Sequence, residues 1–169
     1  SNISNAKQIS CNNQLSVFLL NNNNISLCGN WDMLKDTLFT TQFSNNYSDL
    51  HNNSHIDYII ISNYSESLIP SGTISRIHYM NNRLCLYYEN NYVYIGGNNI
   101  GGSYYSGTYR LFHNSSDNSI NINTLFLATD IDSTLTGLHI SDIQSGNYGS
   151  FFLISNGDVY FIGKNKYNI

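Results

Sequence analysis

The sequence predicts an all-β chain built from antiparallel four-stranded repeats. Three observations predict it. A segment of about 23 residues recurs three times in register. Each copy holds two short apolar runs joined by an Asn- or Gly-containing turn. No segment sustains an apolar period of 3.6; elsewhere apolar residues alternate or fall in blocks of four to six.

The copies run over residues 9–31, 77–99 and 143–165, at offsets of 68 and 66 positions. The second and third share Ile77/Ile143, Asn81/Asn147, Asn90/Asn156, Val93/Val159, Tyr94/Tyr160, Gly97/Gly163 and Asn99/Asn165. Each reads as a hairpin. In the third, Ser150–Ile154 is an apolar strand and Val159–Ile162 the return strand, with Ser155-Asn156-Gly157-Asp158 between them. Asn-Gly between apolar runs predicts a two-residue hairpin turn with positive φ at both positions. The second copy turns at Glu89-Asn90-Asn91 and the first within Asn21–Asn24, since Asn tolerates left-handed geometry best after Gly. Gly29, Gly97 and Gly163 close the return strands, where a glycine marks a bulge or close backbone approach. Upstream runs at Tyr58–Ile61 and Ile74–Ile77 bring the count to about four strands per period, the content of a propeller blade. Helix is expected only as a turn or two near Asp32–Phe39. The whole chain, 1–169, reads as one β-repeat domain with loop insertions near 32–54 and 101–121.

The third copy carries a family resemblance. Gly146, Ser150, the apolar strand, the Asn156-Gly157-Asp158 turn and Val159-Tyr160-Phe161-Ile162-Gly163-Lys164-Asn165 resemble the repeat of the regulator of chromosome condensation family. Gly149 stands where that repeat usually has His, and Ile162 where it often has Trp. Asn12 and Met80 replace its first Gly in the other copies. The resemblance implies seven-bladed propellers made of repeats of about fifty residues. The longer period here implies the insertions. Two periods and a fraction do not close such a ring. The sequence therefore implies a partial or shared propeller, either a piece of a longer chain or a ring completed by other subunits, unless the repeats close in a smaller, non-propeller arrangement.

Composition sets further bounds. Seven Lys+Arg stand against eleven Asp+Glu, a net charge of −4, which argues against a nucleic-acid partner. Charged residues are only 11% of the chain, and 28 asparagines make it Asn-rich. With 14 Tyr and 8 Phe it has the apolar area to fold. No run approaches the ~18 apolar residues of a membrane-inserted helix. Cys11, Cys28 and Cys85 sit in apolar stretches and read as buried free thiols, which slightly favours an intracellular, reducing setting. The Asn-x-Ser sequons at Asn2, Asn24, Asn46, Asn52, Asn63 and Asn114 are about what Asn and Ser abundance supplies by chance.

The search for chemistry yields no catalytic, cofactor or metal site. His51 and His55 lack further ligands at metal spacing. Asp130 and Asp132, at strand spacing, read as an exposed turn too poor in oxygen ligands for calcium. Gly96-Gly97-Asn98-Asn99-Ile100-Gly101-Gly102-Ser103 has neither dinucleotide nor P-loop spacing. Tyr87, Tyr88, Tyr92 and Tyr94 read as core-filling tyrosines with satisfied hydroxyls. Tyr104, Tyr105, Tyr109 and Phe112, set among Ser, Gly and Thr outside the repeat cores, are the candidate interaction surface. The expected activity is a non-enzymatic interaction or scaffold module. Its partner is another protein or further blades, from itself or another chain. Low Lys, Tyr and Asn abundance and the sequons suggest an alternative, a secreted or surface glycan-binding β protein. The family resemblance implies a third, nucleotide exchange on a small GTPase.

Overall fold

The computed structural model describes residues 5–12, 15–30, 55–61, 70–80, 83–98, 121–146 and 149–163. Within these, three antiparallel sheets follow one another along the chain. The first joins β1 (Ala6–Cys11), β2 (Leu15–Leu20), β3 (Ile25–Asn30) and β4 (His55–Ile61) in order. The second joins β5 (Ile74–Met80), β6 (Arg83–Tyr88), β7 (Val93–Asn98) and β8 (Asn121–Leu127) in order. In the third, β9 (Ile140–Ser145), β10 (Gly149–Ile154) and β11 (Val159–Gly163) are paired among the described residues. These are meander blades, and the repeat cores are their first three strands.

The three central hairpins turn identically. Asn23, Asn91 and Gly157 have φ of 69°, 65° and 96°. Their N–H groups donate to the carbonyls of Leu20, Tyr88 and Ile154, whose own N–H groups donate to Asn24, Tyr92 and Asp158. This is a type I turn followed by a left-handed residue in a bulge. It corrects the expected two-residue turn, because Asn156 keeps negative φ and only Gly157 is left-handed. The side chains of Asn22, Asn90 and Asn156 explain the choice. Each accepts the N–H two residues on, at 3.1, 3.2 and 3.0 Å, which holds the middle of the turn right-handed.

Two further irregularities recur. Gly29 and Gly97 have φ of 125° and 115°, and strand register shifts beside each, the bulge expected of a strand-ending glycine. A second bulge places Lys7, Ser75 and Ser141 out of register in the first strand of each blade. Ser75 and Ser141 fill it by donating to the Tyr87 and Leu153 carbonyls at 3.0 and 3.1 Å. Nothing in the local residue pattern foretold this second bulge.

Between β8 and β9 the chain makes two 3₁₀ turns, Ala128–Asp130 and Ser133–Leu135. Asp132 therefore does not share a strand face with Asp130. It caps the second turn, accepting from Thr134 N at 2.9 Å and Thr134 Oγ1 at 2.7 Å, and these bonds hold its carboxyl below the usual range.

The blades stack on two apolar cores. Leu15, Val17, Leu19, Ile25 and Leu27 of the first blade pack on Ile74, Ile77, Tyr79, Leu84, Leu86 and Tyr88 of the second. Cys85, Tyr87, Val93 and Ile95 point the other way, onto Ile140, Ile143, Phe152 and Ile154 of the third. Strand β6 thus feeds both cores and is buried at every residue. The cysteine expectation holds only at Cys85. It is fully buried and burial pushes its thiol up, with Arg83 partly opposing, whereas Cys28 is half-buried and Cys11 is exposed on β1.

Gly149 fits so closely that a side chain would not. A Cβ there would lie 2.5 Å from Ile162 O and 2.6 Å from the Phe161 ring. The His that the resembled repeat carries is excluded by this packing. Gly149→Ala should therefore cost about 1–3 kcal/mol, read from urea denaturation. An unchanged midpoint would contradict the contact.

Candidate functional site

Among the described residues, side-chain hydrogen bonds cluster at the seams between blades. The first strands of the second and third blades are sheet edges whose backbone groups need partners, and the preceding blade supplies them from side chains. Gln8 embraces Ile77, its Oε1 accepting the Ile77 N–H at 2.8 Å and its Nε2 donating to Ile77 O at 3.0 Å. Ser10 Oγ accepts the Tyr79 N–H at 2.7 Å, and Lys7 Nζ donates to Ile74 O at 3.3 Å. Asn23 closes the end of the seam, accepting from Ile74 N at 3.1 Å and donating to Gly72 O at 2.7 Å.

The second seam does the same work with different residues. Tyr87 Oη accepts the Ile143 N–H at 2.9 Å and donates to Asp142 Oδ1 at 3.0 Å. The Ser145 N–H lies 2.8 Å from Met80 Sδ. Arg76 Nη2 donates to Asp142 Oδ1 and Ser141 O, both at 3.0 Å, while its guanidinium lies 3.8 Å over the Tyr87 ring. Burial raises the Asp142 carboxyl. The bonds from Gln144 and Tyr87, the Arg76 charge and the Ile143 N–H outweigh it and hold the carboxyl below its ordinary value. Burial pushes the Tyr87 phenol far up, so it is a permanent donor. Arg83, with 1% exposure, reaches Gly146 O at 3.2 Å and Ser150 Oγ at 3.4 Å across the seam.

The third blade offers the same face to solvent. Its Phe151, Leu153, Val159 and Phe161 pair across β10 and β11 and are 39–60% exposed. The rings of Phe151 and Phe161 are 4.8 Å apart. The repeat offsets set these four over Cys85, Tyr87, Val93 and Ile95, and over Val17, Leu19, Ile25 and Leu27. All eight counterparts are at most 5% exposed, sealed by the next blade. Covering the exposed half of each side chain is worth on the order of 1 kcal/mol.

The candidate surface of Tyr104, Tyr105, Tyr109 and Phe112 lies outside the described residues, as does His51; His55 opens β4. Gly96 and Gly97 belong to β7, and the rest of that Gly-rich run beyond Asn98 is also outside. Tyr87 and Tyr88 are core tyrosines with satisfied hydroxyls, Tyr88 donating to Pro70 O at 2.6 Å; Tyr92 is instead 52% exposed. Among the described residues, no group of three His, Cys, Asp or Glu is placed to hold a metal ion. The open strip was readable in part. The sequence implied an unsealed blade face, and the offset of 66 identifies its residues.

No family model matches the chain, and no curated protein matches it. Solved structures do. Human WBSCR16 aligns over 95% of this chain at 11% identity and a TM-score of 0.57. Yeast RCC1 (Prp20), solved with Kap60, aligns over 95% at 19% identity and a TM-score of 0.63. Prp20p from Saccharomyces cerevisiae, whose binding to Gsp1p and histones was studied, aligns over 98% at 14% identity and a TM-score of 0.55. The chain has the RCC1-like repeat fold. It spans 35%, 32% and 33% of those three chains, so the likeness is to a run of blades.

Tyr87→Phe should leave the Ile143 N–H buried without its acceptor and cost about 1–3 kcal/mol in denaturant unfolding. A loss below about 0.5 kcal/mol would mean the seam does not depend on that hydroxyl. Asp142 gives a pH test. Its folded value lies below the ordinary 3.8, so its contribution is fully present above that value. It is lost as pH falls through the depressed folded value. Asp142→Asn should therefore show a shallower loss of stability than the parent chain below about pH 4. Parallel acid profiles would remove Asp142 from the seam's energetics.

Proposed function

We propose that the chain is a non-enzymatic β-propeller repeat module whose partner, another protein or further blades from itself or another chain, covers the open face of its third blade. The observation that carries this is the strip Phe151, Leu153, Val159 and Phe161, apolar at positions that the two other blades seal. Contiguous apolar surface of this kind marks protein contact sites. The protein partners named for the similar Prp20 structures, Kap60 and Gsp1p, fit an interaction role. Tyr104, Tyr105, Tyr109 and Phe112 are a second proposed contact, on their composition alone. Nucleotide exchange on a small GTPase, implied by the family resemblance, is the lesser reading, because no described residue here carries it.

A photo-crosslinking residue placed at Phe161 should trap a discrete protein adduct in the expressing cell. The same residue at Asn156, exposed in the neighbouring turn, should not. Equal, diffuse labelling at both positions would overturn the reading. A discrete adduct at Tyr105 would establish the second contact.

A further inference from the structure

The third hairpin turn carries a reactive pair that the other two lack. Asn156-Gly157 is the one Asn-Gly step in the chain, and the same turn places hold Asn22-Asn23 and Asn90-Asn91. We infer that Asn156 is a site of spontaneous deamidation, held in check by the folded turn. The only co-reactant is water. The Gly157 backbone nitrogen attacks Asn156 Cγ and gives up its proton. A C–N bond forms, the Cγ–Nδ2 bond breaks, and the amide nitrogen leaves as ammonia with that proton. Water then opens the succinimide ring at either carbonyl, giving aspartate or isoaspartate.

The backbone geometry builds this pair into the turn. The residue after Asn156 is left-handed, and Gly157 adopts a φ of 96° there, where Asn23 and Asn91 have 69° and 65°. Glycine leaves its own nitrogen unshielded by a side chain, and a Cβ at Gly157 would meet nothing within 4 Å. Asn156 is exposed. So are Asn22 and Asn90, in the two blades whose faces are sealed, and the exposure of this turn therefore does not depend on what covers the third blade.

The same turn restrains the reaction. The Gly157 N–H donates to Ile154 O at 2.9 Å, so the proton that has to leave is engaged. Asn156 Oδ1 accepts the Asp158 N–H at 3.0 Å, and Nδ2 donates to Asp158 Oδ2 at 2.8 Å, which fixes both ends of the side-chain amide. Cyclisation breaks the first bond and departure of ammonia the last. Deamidation therefore proceeds through local opening of the turn, at a rate set by the open population. The product alters the turn in its own way. Aspartate sets a second carboxylate against Asp158 Oδ2 where an N–H stood, and isoaspartate lengthens the backbone between β10 and β11.

Peptide mass mapping over time at neutral pH tests this. The peptide containing Asn156 should gain the mass of deamidation, as a mixture of aspartate and isoaspartate, at least about tenfold more slowly in the folded chain than in urea. Peptides containing Asn22 and Asn90 should stay unmodified over the same period. Gly157→Asn restores the pair found in the other two turns, and should suppress the gain at Asn156 even in urea. Asp158→Ala keeps the backbone N–H at its position but removes the acceptor of Nδ2. It should deamidate several-fold faster than the parent at unchanged circular dichroism. Equal rates in the folded chain and in urea would overturn the restraint by the turn, and no gain at Asn156 in urea would overturn the site itself. Asn156→Asp reproduces one product. It should melt below the parent at neutral pH, and the gap should narrow as falling pH protonates the facing carboxylates. A melting temperature equal to the parent's at neutral pH would overturn the effect of aspartate on the turn.

Discussion

An antiparallel blade has two faces to cover and an edge strand to satisfy, and in this chain the adjacent blade does both. Leu15, Val17 and Leu19 press on the second blade from the same side as Gln8 and Ser10 reach its first strand. Tyr87 joins the two tasks in one residue. Its ring lies in the second core and its hydroxyl ties the Ile143 N–H to the Asp142 carboxylate. Unpaired edge groups and uncovered sheets are costly together, so each blade is stable chiefly through its neighbour. The Phe151–Phe161 strip derives its meaning from this rule.

The two seams reach one end by different chemistry. Gln8 and Ser10 at the first give way to Tyr87, Met80 and Arg76 at the second. The side chains differ, yet each meets the edge of a first strand. Such substitution is a basis for specificity, since a blade that satisfies one edge does not automatically satisfy the other. It also explains why identity among the copies concentrates in the turns and strand ends. Asn90/Asn156 and Gly97/Gly163 serve backbone conformations common to every blade, whereas seam residues answer to a particular neighbour.

The sequence by itself determined the blades. Alternating and blocked apolar residues dictate strands, and turn asparagines with strand-ending glycines fix where those strands stop. The offsets of 68 and 66 positions recur in turn geometry and hairpin bonds, and Gly29 and Gly97 share a bulge. These features are local, so a window of a few residues contains their cause. The tertiary structure decided the rest. The first-strand bulge depended on Ser75 and Ser141 reaching a neighbouring strand. Cys11 and Cys85 share an apolar setting in sequence, but only Cys85 lies on a strand enclosed by blades on both sides. Phe151 and Val17 likewise occupy equivalent places in their repeats. One is exposed and the other buried because exposure belongs to the stacking of blades, a contact between residues of different repeats that no local pattern encodes.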